Sequence, residues 1–126
     1  MKALKKTLLL AITLLSQTTA HAGQALIEAV EYECNHQRIC KFSVTLSHAD
    51  EGWEHFANGW KILTPAGEVI GFRALTHPHV NEQPFTRSIR NIKIPTTTDT
   101  VIFLANDSVH GESDRKYIIK LKFLTD

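Results

Sequence analysis

The segment from Cys40 to Ser47 constrains the fold more than any other part of the chain. Its apolar side chains occupy every even position and its polar side chains every odd one. A β-strand presents successive side chains to opposite faces. This alternation therefore predicts a strand with one face on a core and the other in water.

Six further segments have strand-like patterns and are separated by turn residues. They lie at residues 30–34, 59–63, 69–75, 85–94, 101–105 and 117–123. The apolar phase slips between Ile89 and Ile92, as one extra residue in a β-bulge would cause. Seven short strands in about 100 residues are typical of a β-sandwich. The sequence predicts an all-β fold, namely a seven-stranded immunoglobulin- or fibronectin-III-like β-sandwich.

The two cysteines, Cys34 and Cys40, lie at the facing ends of two predicted strands. Both fall on the inward phase, and the five residues between them are enough for a turn. An even number of cysteines in an exported chain favours a disulfide. We therefore expect a Cys34–Cys40 disulfide across a hairpin. Closing this seven-residue loop stabilises the fold by about 2 kcal/mol.

The first 22 residues have the pattern of a secretory signal peptide. Three lysines precede the apolar run 8–15, and the small-x-small tripeptide Ala20-His21-Ala22 follows. Cleavage after Ala22 would leave residues 23–126 as a single β-sandwich domain. We expect this domain to be periplasmic or secreted.

The charge of the mature chain argues against two classes of partner. The leader holds three of the 14 basic residues and none of the 13 acidic ones, so the remainder carries a net charge of about −2. A mildly acidic domain lacks the basic surface that nucleic acids or anionic membranes attract. We therefore expect no nucleic-acid partner and no membrane insertion after cleavage.

Most of the histidines fall at one predicted end of the sandwich. Successive antiparallel strands place alternate connections at opposite ends. The connections after the second, fourth and sixth predicted strands share one end, and their histidines are His48, His55, His77, His79 and His110. These connections are also the longer ones, and long loops on a rigid scaffold are where binding residues concentrate.

Three motifs in these connections resemble a family of small exported bacterial proteins of unknown function. They are HPHVNEQPFTRS at residues 77–88, DSVHG at 107–111 and HADEGW at 48–53. The resemblance covers roughly residues 42–120. It implies an exported β-domain and implies no activity.

The histidine-rich end predicts a transition-metal site. The first candidate ligands are His77, His79 and His110, with His48 or His55 as the next choice. The His-Pro-His tripeptide directs two imidazoles to one side, because Pro78 holds the backbone extended. Imidazole nitrogens of this kind suit zinc or copper(II).

Three nearby carboxylates are candidates for further ligands or for groups that orient the imidazoles, and they are Glu82, Asp107 and Asp50. Met1 is the only methionine and leaves with the leader. Thioether ligation of copper(I) is therefore excluded in the mature chain. The sequence predicts an exported protein that carries or buffers zinc or copper(II), with no other cofactor.

The same residues also have purely structural interpretations. His48 continues the inward phase of its strand and is equally suited to be a hydrogen-bonded core histidine. His55 is suited to an aromatic lid, and Asp107 to capping backbone amides in its loop. Arg87 is placed to pair with Glu82 or Asp107.

The sequence also bears on two other functional classes. An apolar patch at the same end predicts a protein-recognition surface without metal, and its members are Trp53, Phe56, Val80 and Phe85. Against an enzyme, the chain lacks a G-x-S-x-G elbow, a phosphate-binding glycine loop and an H-E-x-x-H motif. Ser108 and His110 are also too close in sequence for a triad geometry. We therefore expect a binding protein and not an enzyme.

Overall fold

A computed structural model describes residues 23–124, and these residues form strands and loops without a helix. The eight strands are β1 (Leu26–Cys34), β2 (Ile39–Ser47), β3 (Ala57–Leu63), β4 (Val69–Ala74), β5 (Phe85–Lys93), β6 (Thr100–Asp107), β7 (Gly111–Glu112) and β8 (Tyr117–Lys120). The predicted signal peptide, residues 1–22, lies outside the described residues. The all-β prediction is confirmed. The eighth strand arises because Gly111 and Glu112 fold back onto the end of β6.

The strands form two antiparallel sheets. One sheet has the order β1-β2-β5, and the other begins β4-β3-β6. The short strands β7 and β8 both pair with β6, β7 at its C-terminal end and β8 along its first half. This arrangement confirms the predicted β-sandwich. It also makes β6 the central strand that its apolar sequence predicted.

The core lies between the sheets and follows the predicted alternation. Along β2 every second side chain is buried, from Cys40 to Leu46. The largest fully buried side chains include Trp60 on β3 and Phe103 on β6, and Phe103 meets Phe42 edge-to-face with ring centroids 5.2 Å apart. Full burial of each such side chain stabilises the fold by about 1.5–3 kcal/mol. The two sheets therefore form a rigid support for their loops.

The bulge and the disulfide are both where the sequence predicted them. The register of β2 against β5 shifts between Cys40 and Phe42, opposite Ile92 and Ile89, and Asn91 adopts a left-handed conformation at φ 59°. Cys34 pairs directly with Cys40 in the β1–β2 hairpin, and their sulfur atoms are bonded. The disulfide therefore closes the end of the sandwich opposite the histidine-rich loops.

The disulfide end is further braced by Arg38. Its guanidinium donates hydrogen bonds to the carbonyl oxygens of Ile94 and Pro95, and it pairs with Asp99 at 3.0 Å. These bonds tie the β1–β2 turn to the β5–β6 connection.

No helix within residues 23–124 is long and apolar enough to cross a membrane.

Candidate metal centre at the histidine pole

Three loops meet at one end of the sandwich, which we call the histidine pole. They are residues 48–56 between β2 and β3, residues 75–84 between β4 and β5, and residues 108–110 between β6 and β7. Two hydrogen bonds join the first and third of these loops, because Ser108 N donates to Phe56 O at 2.9 Å and Phe56 N donates to Ser108 Oγ at 3.0 Å. Five of the seven buried polar residues among those described lie here, namely His48, Asp50, His55, His79 and Asp107. The predicted grouping of these loops is therefore present in the structure.

The centre of the histidine pole is a group of three buried side chains from three parts of the chain. His48 follows β2, His55 precedes β3, and Asp107 ends β6. The Nε2 atoms of His48 and His55 are 3.2 Å apart, and His55 Nε2 lies 3.0 Å from Asp107 Oδ1. One ligand atom from each residue falls within 4.8 Å of the others. We call these three residues the ligand cluster.

Asp50 orients one imidazole of the ligand cluster. Its Oδ1 accepts a hydrogen bond from His48 Nδ1 at 2.5 Å and from Ala57 N at 2.9 Å. Its Oδ2 accepts from His79 N at 2.7 Å. A carboxylate on Nδ1 leaves the opposite ring nitrogen, Nε2, to face the cluster, as in many metal-ligating histidines. Asp50 therefore has the orienting position that the sequence analysis considered for it.

Gln83 and Gly23 also contact His48, although no sequence signal pointed to either. Gln83 Oε1 accepts from His48 N at 3.0 Å, and Gln83 Nε2 donates to His79 O at 2.9 Å. The carbonyl oxygen of Gly23 lies 2.9 Å from His48 Nε2. Gln83 therefore couples two loops, and Gly23 brings the start of the described chain to the cluster.

Asp107 is a charged group at the bottom of the cluster. Burial is the largest single influence and raises the pKa of its carboxyl, but the hydrogen bonds that the carboxylate accepts, including those from the backbone N–H groups of His110 and Val109, together outweigh it. Together with the His110 side chain they hold the pKa of Asp107 below its usual value. All of these donors contact Oδ1, whereas the buried Oδ2 has no hydrogen-bond partner among the described residues. The carboxylate therefore keeps one oxygen available for another ligand.

His110 lies at the rim of the cluster. Its Nδ1 is 3.1 Å from Asp107 Oδ1, and its ring centroid is 4.9 Å from that of His55. The side chain is 41% exposed. His110 is therefore partly exposed to solvent and also contacts two members of the ligand cluster.

His77 and His79, the first choices from the sequence, lie beside the cluster and not in it. The ring of His79 stacks on Phe85 at 4.0 Å, and its Nε2 lies 3.0 Å from Arg87 Nη2, which donates to it. Burial, followed by the charges of Arg87 and His77, lowers the pKa of His79. The Nε2 lone pair of a neutral His79 therefore accepts from Arg87 and is not available to a metal ion. The exposed His77 packs against His79, with ring centroids 4.5 Å apart.

Glu82, the remaining carboxylate candidate, is exposed and is not part of the cluster. Its Oε1 is 3.4 Å from Arg87 Nη1, which confirms one of the two pairings expected for this arginine. Asp107, the other expected partner, is engaged instead by His55 and His110. The sequence motif of residues 77–88 therefore lies beside the ligand cluster and supplies none of its three members.

The fold and this site define a β-sandwich that buries a cluster of imidazoles and carboxylates at one end. A protein of Halomicrobium mukohataei named "Putative lipoprotein" is 38% identical to the chain over 82 residues, which are 65% of this chain and 40% of that protein. The chain therefore spans about two fifths of the length of this relative. No family model matches the chain, and no solved structure matches it.

Proposed function

We propose that this chain is an exported protein that binds one divalent transition-metal ion, zinc or copper(II), through His48, His55 and Asp107. The observation that carries the proposal is the convergence of three buried ligand atoms from three separate segments of the chain. The role that fits such a site is carriage or buffering of the ion in the periplasm. Catalysis is not part of the proposal.

The spacing of the ligand atoms supports an ion at this position. A tetrahedral zinc ion with bonds of about 2.0–2.1 Å holds its ligand atoms about 3.3 Å apart. The Nε2–Nε2 distance of 3.2 Å is close to this value, and the carboxylate of Asp107 reaches the same place, because its Oδ1 lies 3.0 Å from His55 Nε2. The hydrogen bond from His48 to Asp50 supplies the orienting carboxylate that metal-bound histidines usually have.

The unpartnered oxygen of Asp107 favours a metal site over a purely hydrogen-bonded network. A buried polar atom without a partner costs about 1–3 kcal/mol, and more when the group is charged. The lowered pKa of Asp107 keeps this carboxyl ionised, and its Oδ2 has no donor among the described residues. A divalent cation at the cluster would satisfy this oxygen and its charge together.

Export is supported by two independent features. The pattern of residues 1–22 predicts a cleaved leader. The relative that is 38% identical over 82 residues is named "Putative lipoprotein", a name that refers to an exported protein. The proposal takes from this relative only the export, because the chain spans about two fifths of it.

Metal titration of the purified chain tests the proposal. An ion that binds only the folded form stabilises it by about 2.7 kcal/mol at a hundredfold excess over Kd, which raises the Tm of a domain of this size by roughly 10 °C. We expect zinc or copper(II) to produce this shift and a chelator to reverse it. Affinity should fall as the pH drops below about 6.5, because neutral imidazole is the ligand form.

Two histidine variants form a matched pair for this titration. His55→Gln removes a nitrogen of the ligand cluster and should abolish the shift. His77→Gln changes an exposed histidine of the same pole and should preserve it. The proposal fails when neither ion raises the Tm, or when His77→Gln removes the response and His55→Gln does not.

A protein-recognition surface is the second candidate function, and the solvent exposure of two of its predicted residues supports it. Trp53 is 69% exposed and meets Phe56 edge-to-face, and Val80 is 55% exposed. Phe85 is not part of this surface, because it is buried under the stacked ring of His79. Under this candidate, Trp53→Ala weakens partner binding and leaves the metal response unchanged.

A further inference from the structure

The first described residues of the chain are fixed against the ligand cluster. The Gly23 carbonyl oxygen lies 2.9 Å from His48 Nε2, the same atom that faces His55 Nε2 at 3.2 Å. Ala25 is fully buried, and Gln24 Oε1 accepts a hydrogen bond from Asp114 N at 2.9 Å. These contacts hold the backbone of Gly23 at the edge of the site before β1 begins.

The predicted leader ends immediately before this residue. Cleavage after Ala22 would make the nitrogen of Gly23 a free α-amine, whereas in the precursor the same atom belongs to a peptide bond. The lone pair of a peptide nitrogen is delocalised into the carbonyl group and is a poor metal ligand. A free α-amine has an ordinary pKa of about 7.7–8.0 and becomes a ligand when it loses its proton.

We propose that removal of the leader completes the metal site, because the freed amine and the carbonyl oxygen of Gly23 then chelate the ion that His48, His55 and Asp107 hold. The proposal rests on the proposed function and on cleavage after Ala22. Covalent geometry keeps the amine nitrogen within about 4 Å of its own carbonyl oxygen. Rotation about the Cα–C bond of Gly23 lets both atoms bind one ion in a five-membered ring.

The completed site selects copper(II). Its donors are three nitrogens, from two imidazoles and one amine, with oxygens from Gly23 and Asp107. Mixed nitrogen and oxygen donors in tetragonal geometry are typical of copper(II), whereas zinc is satisfied by a four-ligand tetrahedron. The precursor has only the two imidazole nitrogens, so copper affinity should rise after export.

The test compares the exported, processed protein with the same protein after selective acetylation of its α-amine. At a pH of about 6.5 the α-amine reacts well before the lysines, whose pKa is about 10.4. Intact mass verifies that the chain begins at Gly23 and carries a single acetyl group. Mock-treated protein is the control.

We expect blocking the amine to raise the Kd for copper(II) by at least about tenfold and the Kd for zinc by less than about threefold. The copper electron paramagnetic resonance spectrum should change from three coupled nitrogens to two. Equal copper affinity and equal nitrogen counts in the two proteins would overturn this inference and leave the proposed function intact. A mature chain that begins elsewhere than Gly23 would also overturn it. Absence of metal binding by both proteins would instead refute the proposed function.

Discussion

Replacing Asp50 by asparagine is the most informative single perturbation of the histidine pole. The carboxylate accepts hydrogen bonds from His48 Nδ1 and Ala57 N on one oxygen and from His79 N on the other. Asparagine has nearly the same shape but offers an NH2 group in place of one oxygen. In either orientation of the amide, a buried N–H donor therefore faces another donor.

The expected loss of stability follows from these contacts. A buried N–H left without its acceptor costs about 1–3 kcal/mol. Loss of the charge on the acceptor for His48 Nδ1 weakens that bond by about a further 1 kcal/mol. We therefore expect Asp50→Asn to lower the free energy of unfolding by about 2–4 kcal/mol, a large part of the 5–15 kcal/mol typical of a domain.

Urea unfolding of the chelator-treated protein, followed by tryptophan fluorescence, measures this loss. The matched control is Asp99→Asn at the opposite end, where a half-exposed carboxylate pairs with Arg38. Exposed pairs of this kind contribute about 0–1 kcal/mol. The metal affinity of Asp50→Asn should also fall by about 10- to 100-fold, because His48 loses its orienting partner. A loss of stability no larger than that of Asp99→Asn would refute the role given to Asp50.

The remaining predictions concern the disulfide and the buried imidazole beside the cluster. Replacing Cys34 and Cys40 together by serine should lower the free energy of unfolding by about 2 kcal/mol and leave metal affinity unchanged; a larger effect on metal than on stability would contradict the separation of the two ends. Burial and the charges of Arg87 and His77 hold the pKa of His79 in the folded protein below its unfolded value of about 6.5. The contribution of His79 to stability is therefore present above the unfolded pKa and is lost as the pH falls through the folded pKa. The metal-free His79→Gln protein should therefore lose less stability between pH 7 and 5 than the parent, as measured by urea unfolding at each pH, and an identical loss would contradict this assignment.

The fold could be predicted because the sequence patterns that encode it are local. The alternation in β2 depends on one strand lying on one core, and the structure buries every second residue from Cys40 to Leu46. The slip of phase between Ile89 and Ile92 is likewise a local signature, and the structure shows the bulge there. The short strand β7 was missed, because two residues carry no period and its pairing depends on β6.

The place where the histidines gather could be predicted, but the residues that form the candidate ligand cluster could not. Because successive strands are antiparallel, alternate loops lie at the same end of the sandwich. The gathering of His48, His55 and His110 could therefore be predicted without knowledge of side-chain positions. Which nitrogens converge depends on loop conformation, and His79 of the favoured His-Pro-His pair contacts Phe85 and Arg87 instead of the cluster. The contact of Gly23 with His48 has no pattern in sequence, because it is made by a backbone carbonyl.

The two buried aspartates of the histidine pole show how a structural network and a binding site can share one set of loops. Asp50 uses both oxygens to accept hydrogen bonds from three separate positions of the chain. Asp107 receives all of its hydrogen bonds on Oδ1 and holds Oδ2 buried and unpartnered. An unpartnered buried oxygen is costly, so a cation or a further donor at Oδ2 would stabilise Asp107 more than Asp50. The division between them fits the proposed metal site, in which one carboxylate fixes the geometry of an imidazole and the other retains an oxygen for the ion.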